Sequence, residues 1–276
     1  MSLASFLHRS TLACLAALLL APMAARAATF DEMVVFGDSI SDWEYNPYDV
    51  PEARAPFPYW SERVRMAGTV KSLRNYSRAG AFVQDRNIDP KKPENVHKTF
   101  KFQVDDWVGH GAPLKAKAVC AVYLGYNDIG AQNFAPLADL SKAKATYARE
   151  VDRLIAHGCT SGSRQLLLVR VHQLCRNPKN HNISCSRSIT WNGYVDQVAR
   201  ARGAGKPGAH VREVDVYGRF EKIYAHPADY GYTNVTTFSQ SAANSGSSIL
   251  YWDGNHFGWL GHKSIAKAFL DVLKPL

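Results

Sequence analysis

Short apolar runs recur along the chain and alternate with stretches whose apolar residues are spaced three and four apart. The apolar runs predict strands at Met33–Phe36, Val70–Tyr76, Ala118–Leu124, Gln165–Val171 and Val211–Val216. The amphipathic stretches predict helices at Tyr59–Met66, Phe102–Val108, Ser141–His157, Ile189–Ala201 and Gly261–Leu273. Continuous apolar strands alternating with helices indicate a parallel sheet covered on both faces. We therefore predict an α/β fold, a doubly wound three-layer α/β/α sandwich of about five strands, with its ligand site at the carboxyl ends of the strands.

The first 27 residues have a different pattern. His8 and Arg9 precede an apolar run from Leu12 to Ala21, and Ala25-Arg26-Ala27 has the small-x-small form of a cleavage site. This pattern predicts a secretory signal peptide at 1–27, followed by one domain at 28–276 and export to the periplasm or the extracellular space. A membrane anchor is the alternative, but the run is shorter than the ~20 residues a span needs.

Composition excludes a disordered chain, and the net charge gives only weak information about partners. An apolar content of 46% is far above that of disordered chains. The net charge of +9 falls to +7 without the leader, which carries Arg9 and Arg26 and no acidic residue. The basic residues are scattered, so transient contact with an anionic membrane surface and simple solubility both remain open. No motif indicates a nucleic-acid partner.

Four short polar segments follow strands or precede a helix at the same predicted edge of the sheet. They are Gly37–Asp42, Asn75–Gly80, Gly125–Asp128 and Asp253–His256. Acyl transfer needs a nucleophile, a base, a carboxylate that orients the base, and donors for an oxyanion. The segments supply these groups as Ser39, His256, Asp253, the Gly80 N–H and the Asn127 amide.

Other residues could compete for these roles. His262 is the nearest alternative base, but it lies inside the last predicted helix, where packing or capping is expected. Asp128 could replace Asp253, although Asp253 is favoured because it lies three residues from His256. Asp38 is expected to accept hydrogen bonds from turn amides.

Rival motifs carry less weight. Gly203–Gly208 fits G-x-G-x-x-G, but it precedes a strand and contains Pro207, so we interpret it as a loop. Asp38, Asp42, Asp253 and His256 lack the paired-His spacing of a metal site. We predict neither a metal nor a cofactor.

The four segments resemble the conserved blocks of the SGNH, or GDSL, hydrolase superfamily. Gly37–Ile40 matches its G-D-S-L motif with Ile for Leu, and the other blocks follow in the family's order between Met33 and Leu273. The resemblance implies a flavodoxin-like fold and a serine esterase whose triad is Ser39, His256 and Asp253. It also implies an oxyanion hole formed by Ser39, Gly80 and Asn127. The chain departs from the pattern at Phe257, where the family usually has proline.

The segments around Pro56–Trp60, Asn75–Phe82 and Gln103–Trp107 resemble the lipase-like branch of this superfamily. That branch includes secreted phospholipases, lysophospholipases and glycerophospholipid–cholesterol acyltransferases, which implies a lipid ester substrate and an acyl acceptor that need not be water. Trp43, Phe57 and Phe257 are candidates to line an acyl-chain groove, with core packing as the alternative.

Two other functions remain open. A carbohydrate O-acetyl esterase or an arylesterase would keep the same four blocks. A non-catalytic exported binding domain with the same fold is the alternative of a different class. The oligomeric state is not indicated by the sequence.

Loss of Cys14 with the leader leaves four cysteines, an even number that suggests two disulfides in an exported protein. Cys175 and Cys185 bracket a loop after the fourth predicted strand, so we predict that they pair. Cys120 and Cys159 both fall at the opposite edge and form the second predicted pair. Free buried thiols are the alternative.

Overall fold

The computed structural model describes residues 29–42, 57–85, 97–130, 138–180, 183–243 and 246–274. The predicted leader at 1–27 and the candidate residue Trp43 lie outside these ranges.

The described chain is organised around a parallel five-stranded sheet. Its strands are β1 (Phe30–Gly37), β2 (Val70–Asn75), β3 (Ala118–Tyr123), β4 (Gln165–Arg170) and β5 (Val211–Asp215). They lie in the order β2-β1-β3-β4-β5, with every neighbouring pair parallel. This is the order of flavodoxin-like doubly wound sheets, so the predicted fold class is confirmed. All residues of β3 are buried, as a strand covered on both faces requires.

Helices cover both faces of the sheet. They are α1 (Trp60–Met66), α2 (Phe100–His110), α3 (Tyr126–Ile129), α4 (Leu140–Ala156), α5 (Cys185–Ala201), α6 (Val216–Ala225) and α7 (Trp259–Leu273). In one layer α2 packs on α4 and α4 on α5; in the other, α7 packs on both α1 and α6. The three layers place the short loops after β1, β2 and β3 at one edge of the sheet.

Four of the named elements were not predicted, and one of them is α3 (Tyr126–Ile129), a single turn that follows β3. Helix α6 begins directly where β5 ends, and the Asp215 side chain caps it by accepting the Gly218 N–H at 2.8 Å. Strands β6 (Asn234–Phe238) and β7 (Ile249–Tyr251) form a separate two-stranded sheet. Helix α5 also begins four residues earlier than predicted, because Ser184 accepts the Ser186 N–H as its cap.

Both predicted cysteine pairs are bonded in the structure. Cys120 in β3 joins Cys159 beyond α4, with 5.8 Å between the Cα atoms. Cys175 joins Cys185 at the start of α5, with 5.2 Å between the Cα atoms. The second bond closes a loop at the carboxyl edge of the sheet, where the candidate site lies.

No helix within the described ranges is both long and apolar enough to cross a membrane.

Candidate active site

The end of β1 is held from a neighbouring helix. The side chain of Gln103 in α2 accepts the Gly37 N–H at 2.9 Å and donates to the Gly37 carbonyl at 2.8 Å. Gln103 is fully buried, so both bonds are shielded from water. The Trp60 indole N–H donates to Ser41 Oγ at 3.0 Å on the other side of the segment. These contacts fix the backbone on both sides of Ser39.

Asp38 shapes the turn that contains Ser39. Its carboxylate Oδ1 accepts the Ile40 N–H at 3.0 Å, and its carbonyl accepts the N–H groups of Ser41 and Asp42 at 2.9 and 3.0 Å. The structure thus places Asp38 in the turn-stabilising role that the sequence predicts. Burial raises the pKa of Asp38 to about 7, against the lowering effects of the Ile40 N–H and the nearby His256 ring.

Ser39, His256 and Asp253 form a continuous hydrogen-bonded chain. His256 Nε2 lies 3.0 Å from Ser39 Oγ, and His256 Nδ1 lies 2.8 Å from Asp253 Oδ2. The structure therefore brings together side chains that are 217 residues apart in the sequence. The geometry matches the nucleophile, base and orienting carboxylate of acyl transfer.

The turn between Asp253 and His256 is built around the carboxylate. Asp253 Oδ1 accepts the N–H groups of Asn255 and His256 at 2.7 and 2.8 Å, while Oδ2 faces the ring. Partial burial would raise the pKa of Asp253, but the His256 ring and these two N–H groups outweigh it, so the pKa is lowered. The carboxylate therefore stays ionised and can stabilise a positively charged imidazole.

A second set of residues, which the sequence did not point to, holds this turn from outside. Tyr126 Oη donates to the Asn255 carbonyl at 2.9 Å, and Asn177 Nδ2 donates to the same carbonyl at 3.1 Å. Asn180 Nδ2 donates to Asn255 Oδ1 at 3.1 Å. Asn177 and Asn180 belong to the loop closed by the Cys175–Cys185 disulfide. The disulfide therefore restrains a loop that supports the His256 turn.

The loop that carries Gly80, one of the predicted oxyanion donors, is hydrogen-bonded to the Ser39 turn. Asp42 Oδ2 accepts the Ala79 N–H at 2.9 Å, and Asn75 Nδ2 donates to the Ser41 carbonyl at 3.0 Å, which joins the Gly80 loop to the Ser39 turn. Gly80 has φ +77°, a conformation that glycine adopts without strain.

Hydrogen bonding leaves two backbone donors available. Among the described residues, the N–H groups of Ser39 and Gly80 donate to no protein acceptor. The buried Asn127 amide donates an N–H to the Ala81 carbonyl at 2.8 Å, which orients its nitrogen beside the loop that carries Gly80. These are the three donors that the sequence predicts for an oxyanion.

The competing residues have other roles. Asp128 accepts the N–H groups of Val83 and Gln84 at 2.8 and 2.9 Å, so it holds the loop that follows Gly80. His262 Nδ1 accepts the Trp60 N–H at 3.3 Å and so caps the first turn of α1. Burial, with the charges of Arg63 and His256, lowers the pKa of His262 well below its usual value and keeps it neutral. Within the described ranges, no group of three His, Cys, Asp or Glu side chains is placed to hold a metal ion.

The candidate substrate-binding aromatics need a correction. Phe257 is fully buried, with its ring packed against Tyr251, His172 and Phe220, so it belongs to the core and offers no surface to a substrate. Phe257 follows His256 directly in the sequence, and residues of β7 and α6 enclose its ring. Phe57 is only 6% exposed and packs against Tyr59, so it too belongs mainly to the packed interior and offers little surface to a substrate.

Comparison with known proteins identifies relatives of this chain. A family model described as GDSL-like lipase/acylhydrolase matches residues 33–269. A search of curated protein sequences gives no significant match.

Solved structures show the same fold. LAE5, an alpha/beta hydrolase enzyme from the metagenome of Lake Arreo in Spain, has a TM-score of 0.56 at 18% identity over 90% of this chain and 97% of its own. A lipolytic G-D-S-L family protein from Veillonella parvula has a TM-score of 0.55 at 15% identity over 89% of this chain and 99% of its own. Axe2, an acetylxylan esterase from Geobacillus stearothermophilus, has a TM-score of 0.56 at 14% identity over 91% of this chain and 97% of its own.

Proposed function

The chain belongs to the GDSL-like lipase/acylhydrolase family and is a hydrolase that acts on ester bonds, and we propose that Ser39, His256 and Asp253 are its catalytic triad. The observation that carries this proposal is the unbroken series of contacts from Ser39 Oγ through both nitrogens of His256 to Asp253, at 3.0 and 2.8 Å.

In the acylation step, Ser39 Oγ attacks the ester carbonyl carbon and its proton passes to His256 Nε2. The carbonyl π electrons move onto oxygen, and the N–H groups of Ser39, Gly80 and Asn127 stabilise that negative charge. The ionised Asp253 orients the positively charged imidazolium of His256 and stabilises its charge. Collapse of the tetrahedral intermediate breaks the bond to the alcohol, which takes the proton from His256 and leaves an acyl-Ser39 ester.

In the second step, a water molecule or another alcohol attacks the acyl-Ser39 carbonyl. His256 Nε2 takes the proton of the attacking hydroxyl, and the same three donors stabilise the second oxyanion. The acyl group leaves as an acid or a new ester, and the proton returns to Ser39 Oγ. Water gives hydrolysis, and an alcohol gives acyl transfer.

The proposed substrates are lipid esters of the phospholipid or lysophospholipid type. The resemblance of Pro56–Trp60 and the neighbouring blocks to the lipase-like branch supports this class. The family description and the lipolytic G-D-S-L neighbour from Veillonella parvula agree with it.

Acetylated sugars are the second candidate class. The structural neighbours include acetylxylan esterases, which favours O-acetyl esters of carbohydrates as the alternative. The two classes differ in the acyl chain, since acetate needs no apolar groove and a long chain does.

The discriminating experiment compares wild type with Ser39→Ala on p-nitrophenyl esters of increasing chain length, lysophosphatidylcholine and acetylated xylo-oligosaccharides. Ser161→Ala, a substitution of an exposed serine, is the matched control. We expect wild type and Ser161→Ala to cleave lysophosphatidylcholine. We expect Ser39→Ala to lose hydrolysis of every ester tested. Turnover of acetylated sugar alone would retain the triad and exclude the lipid assignment. Unchanged hydrolysis by Ser39→Ala would exclude the triad and support a different site.

We further propose that residues 1–27 direct export and are removed, leaving a single domain at 28–276 in the periplasm or outside the cell. The leader pattern and the two disulfides support an oxidising destination. N-terminal sequencing of protein recovered from outside the cytoplasm should begin at Ala28.

A further inference from the structure

A groove of about 480 Å³ lies on the face of the molecule formed by α7, α1 and the segment after α6. It follows α7 from Trp259 to Leu270, which is about 16 Å at the rise of an α-helix. None of the triad residues lines it, although Trp259 is three residues beyond His256. The groove is therefore separate from the candidate active site but begins near it.

The floor of the groove is apolar. Trp259, Leu260, Ala266 and Leu270 project from one face of α7, and Tyr230 faces them from the other wall. Trp259 also packs against a small aromatic cluster centred on Phe57 and Tyr59, which fixes the wall at that end. An apolar floor of this length suits a hydrocarbon chain.

The rim of the groove is cationic. Among the described residues that line the groove, the cations are Arg63, Arg219, Lys263 and Lys267, and the one carboxylate is Asp229. Lys267 pairs with Asp271, whereas Arg63, Arg219 and Lys263 form no ion pair within the described chain.

Two of these cationic side chains each have a nitrogen that makes no hydrogen bond within the described chain. Arg63 Nη2 and Arg219 Nε are buried and have no hydrogen-bond partner among the described residues. Arg63 Nε donates to the Pro58 carbonyl at 2.8 Å, which fixes this guanidinium at the groove. A carboxylate or a phosphate is the acceptor that guanidinium groups pair with most strongly. Arg63 lies 4.4 Å and Lys263 5.5 Å from the Trp259 ring centre, which gathers positive charge at the end of the groove nearest His256.

We propose that this groove binds a single-chain anionic amphiphile, with the hydrocarbon chain along α7 and the anionic head between Arg63, Arg219 and Lys263. A fatty carboxylate is the simplest ligand of this class, and a single-chain phosphate shares its chemistry. The groove runs along one helix, and Arg63 and Lys263 lie together at its Trp259 end, an arrangement that suits one molecule with a head and a chain. The proposal goes beyond the proposed function, because binding requires neither Ser39 nor an ester.

Calorimetric titration of the full-length Ser39→Ala protein, at ligand concentrations below micelle formation, tests the proposal. The probes are dodecanoate, dodecyl phosphate, uncharged dodecanol, and acetate and inorganic phosphate as heads without chains. We expect dodecanoate and dodecyl phosphate to bind, dodecanol to bind at least about tenfold more weakly, which is about 1.4 kcal/mol, and the bare anions not to bind. The ratio of the carboxylate to the phosphate affinity then identifies the preferred head.

Lys263→Glu is the test variant, and Arg65→Glu is its matched control. Both change the charge by the same amount at exposed positions, but Arg65 lies on α1 outside the groove. We expect Lys263→Glu to weaken dodecanoate at least about tenfold and Arg65→Glu to leave it within about twofold. Arg219→Gln, which removes one partnerless donor, should weaken binding in the same direction.

Three results would overturn the proposal. Equal binding of dodecanol and dodecanoate would show non-specific apolar adsorption. Equal weakening by Lys263→Glu and Arg65→Glu would show a general effect of net charge. Binding to vesicles of anionic phospholipid that Lys263→Glu abolishes, with no binding of monomeric dodecanoate, would assign the face to a membrane surface instead. Because Ser39 is absent from the protein titrated, none of these outcomes depends on catalysis.

Discussion

Asp38 is a fully buried carboxyl beside Ser39, the proposed nucleophile, and we expect its ionisation to make folding stability depend on pH. Burial raises its pKa from 3.8 to about 7, so the folded protein retains a proton that the unfolded chain has already released near neutrality. A carboxyl whose folded-state pKa is raised contributes stability that is complete below the unfolded pKa and is lost as the pH rises through the folded pKa. The window here runs from about pH 4 to about pH 7.

The magnitude follows from the size of the shift. At about 1.36 kcal/mol for each pKa unit, a rise of about three units corresponds to about 4 kcal/mol once both states are ionised. Between pH 5 and pH 8 the part that is lost is about 2–3 kcal/mol.

Urea unfolding of wild type and Asp38→Asn at pH 5 and pH 8 measures this term. Asparagine keeps the Oδ1 acceptor for the Ile40 N–H but cannot ionise. We expect the free energy of unfolding of Asp38→Asn, relative to wild type, to increase by about 2–3 kcal/mol from pH 5 to pH 8. The constant cost of the new amide group cancels in this comparison. Asp229→Asn, at an exposed carboxyl, should leave the wild-type pH dependence unchanged. Parallel curves for wild type and Asp38→Asn would refute the reasoning.

Three further substitutions test the site. Asp253→Asn should lower kcat about 10³–10⁴-fold, because an amide N–H facing His256 Nδ1 stabilises the tautomer with its proton on Nε2, which cannot accept the Ser39 proton. A loss of kcat below tenfold in steady-state kinetics would contradict this. Asn177→Ala should lower kcat/KM about five- to tenfold, because the His256 turn loses the hydrogen bond from Asn177 to the Asn255 carbonyl. A lower urea midpoint with unchanged kinetics would show that Asn177 has a purely structural role. A Cβ at Gly80 would meet, among the described residues, Lys98 Cδ at 3.7 Å, so the main effect of Gly80→Ala is backbone strain at φ +77°. We expect kcat to fall with KM nearly unchanged in steady-state kinetics. A wild-type kcat would exclude the Gly80 N–H as an oxyanion donor.

The central strands could be predicted because their burial leaves a continuous apolar signal. Strands β3 and β4 begin where they were predicted to begin and end one residue earlier, at Tyr123 and Arg170. Helices cover both faces of these strands, so nearly every position is apolar. Helix α6 was missed because it begins without a break where β5 ends and has Gly218 in its first turn, so no boundary is visible in the sequence. The polar, largely exposed β6 carries no apolar run at all.

The residues of the proposed triad could be singled out from the sequence because each lies in a short block at the end of a strand or the start of a helix, and the structure brings their side chains into contact. The residues that hold the His256 turn could not be singled out in this way. Asn177 donates to the Asn255 carbonyl across 78 residues of sequence, and an asparagine in a loop gives no signal until the fold brings it to the His256 turn. The cysteine pair around that loop was the available signal, since Cys175 and Cys185 mark it as a restrained segment. Phe257 shows the reverse error, because proximity in sequence to His256 suggested a surface position for a side chain that is buried.

Covalent labelling of the nucleophile tests the central assignment most directly. An alkyl fluorophosphonate reacts with an activated serine when Oγ attacks phosphorus and fluoride leaves. Intact-mass measurement and peptide mapping of the full chain should show one phosphonyl group on Ser39 in wild type, no addition in Ser39→Ala and strongly slowed labelling in His256→Asn. Labelling that persists in Ser39→Ala at the wild-type rate, or that maps to another residue, would contradict the assignment of Ser39 as the nucleophile.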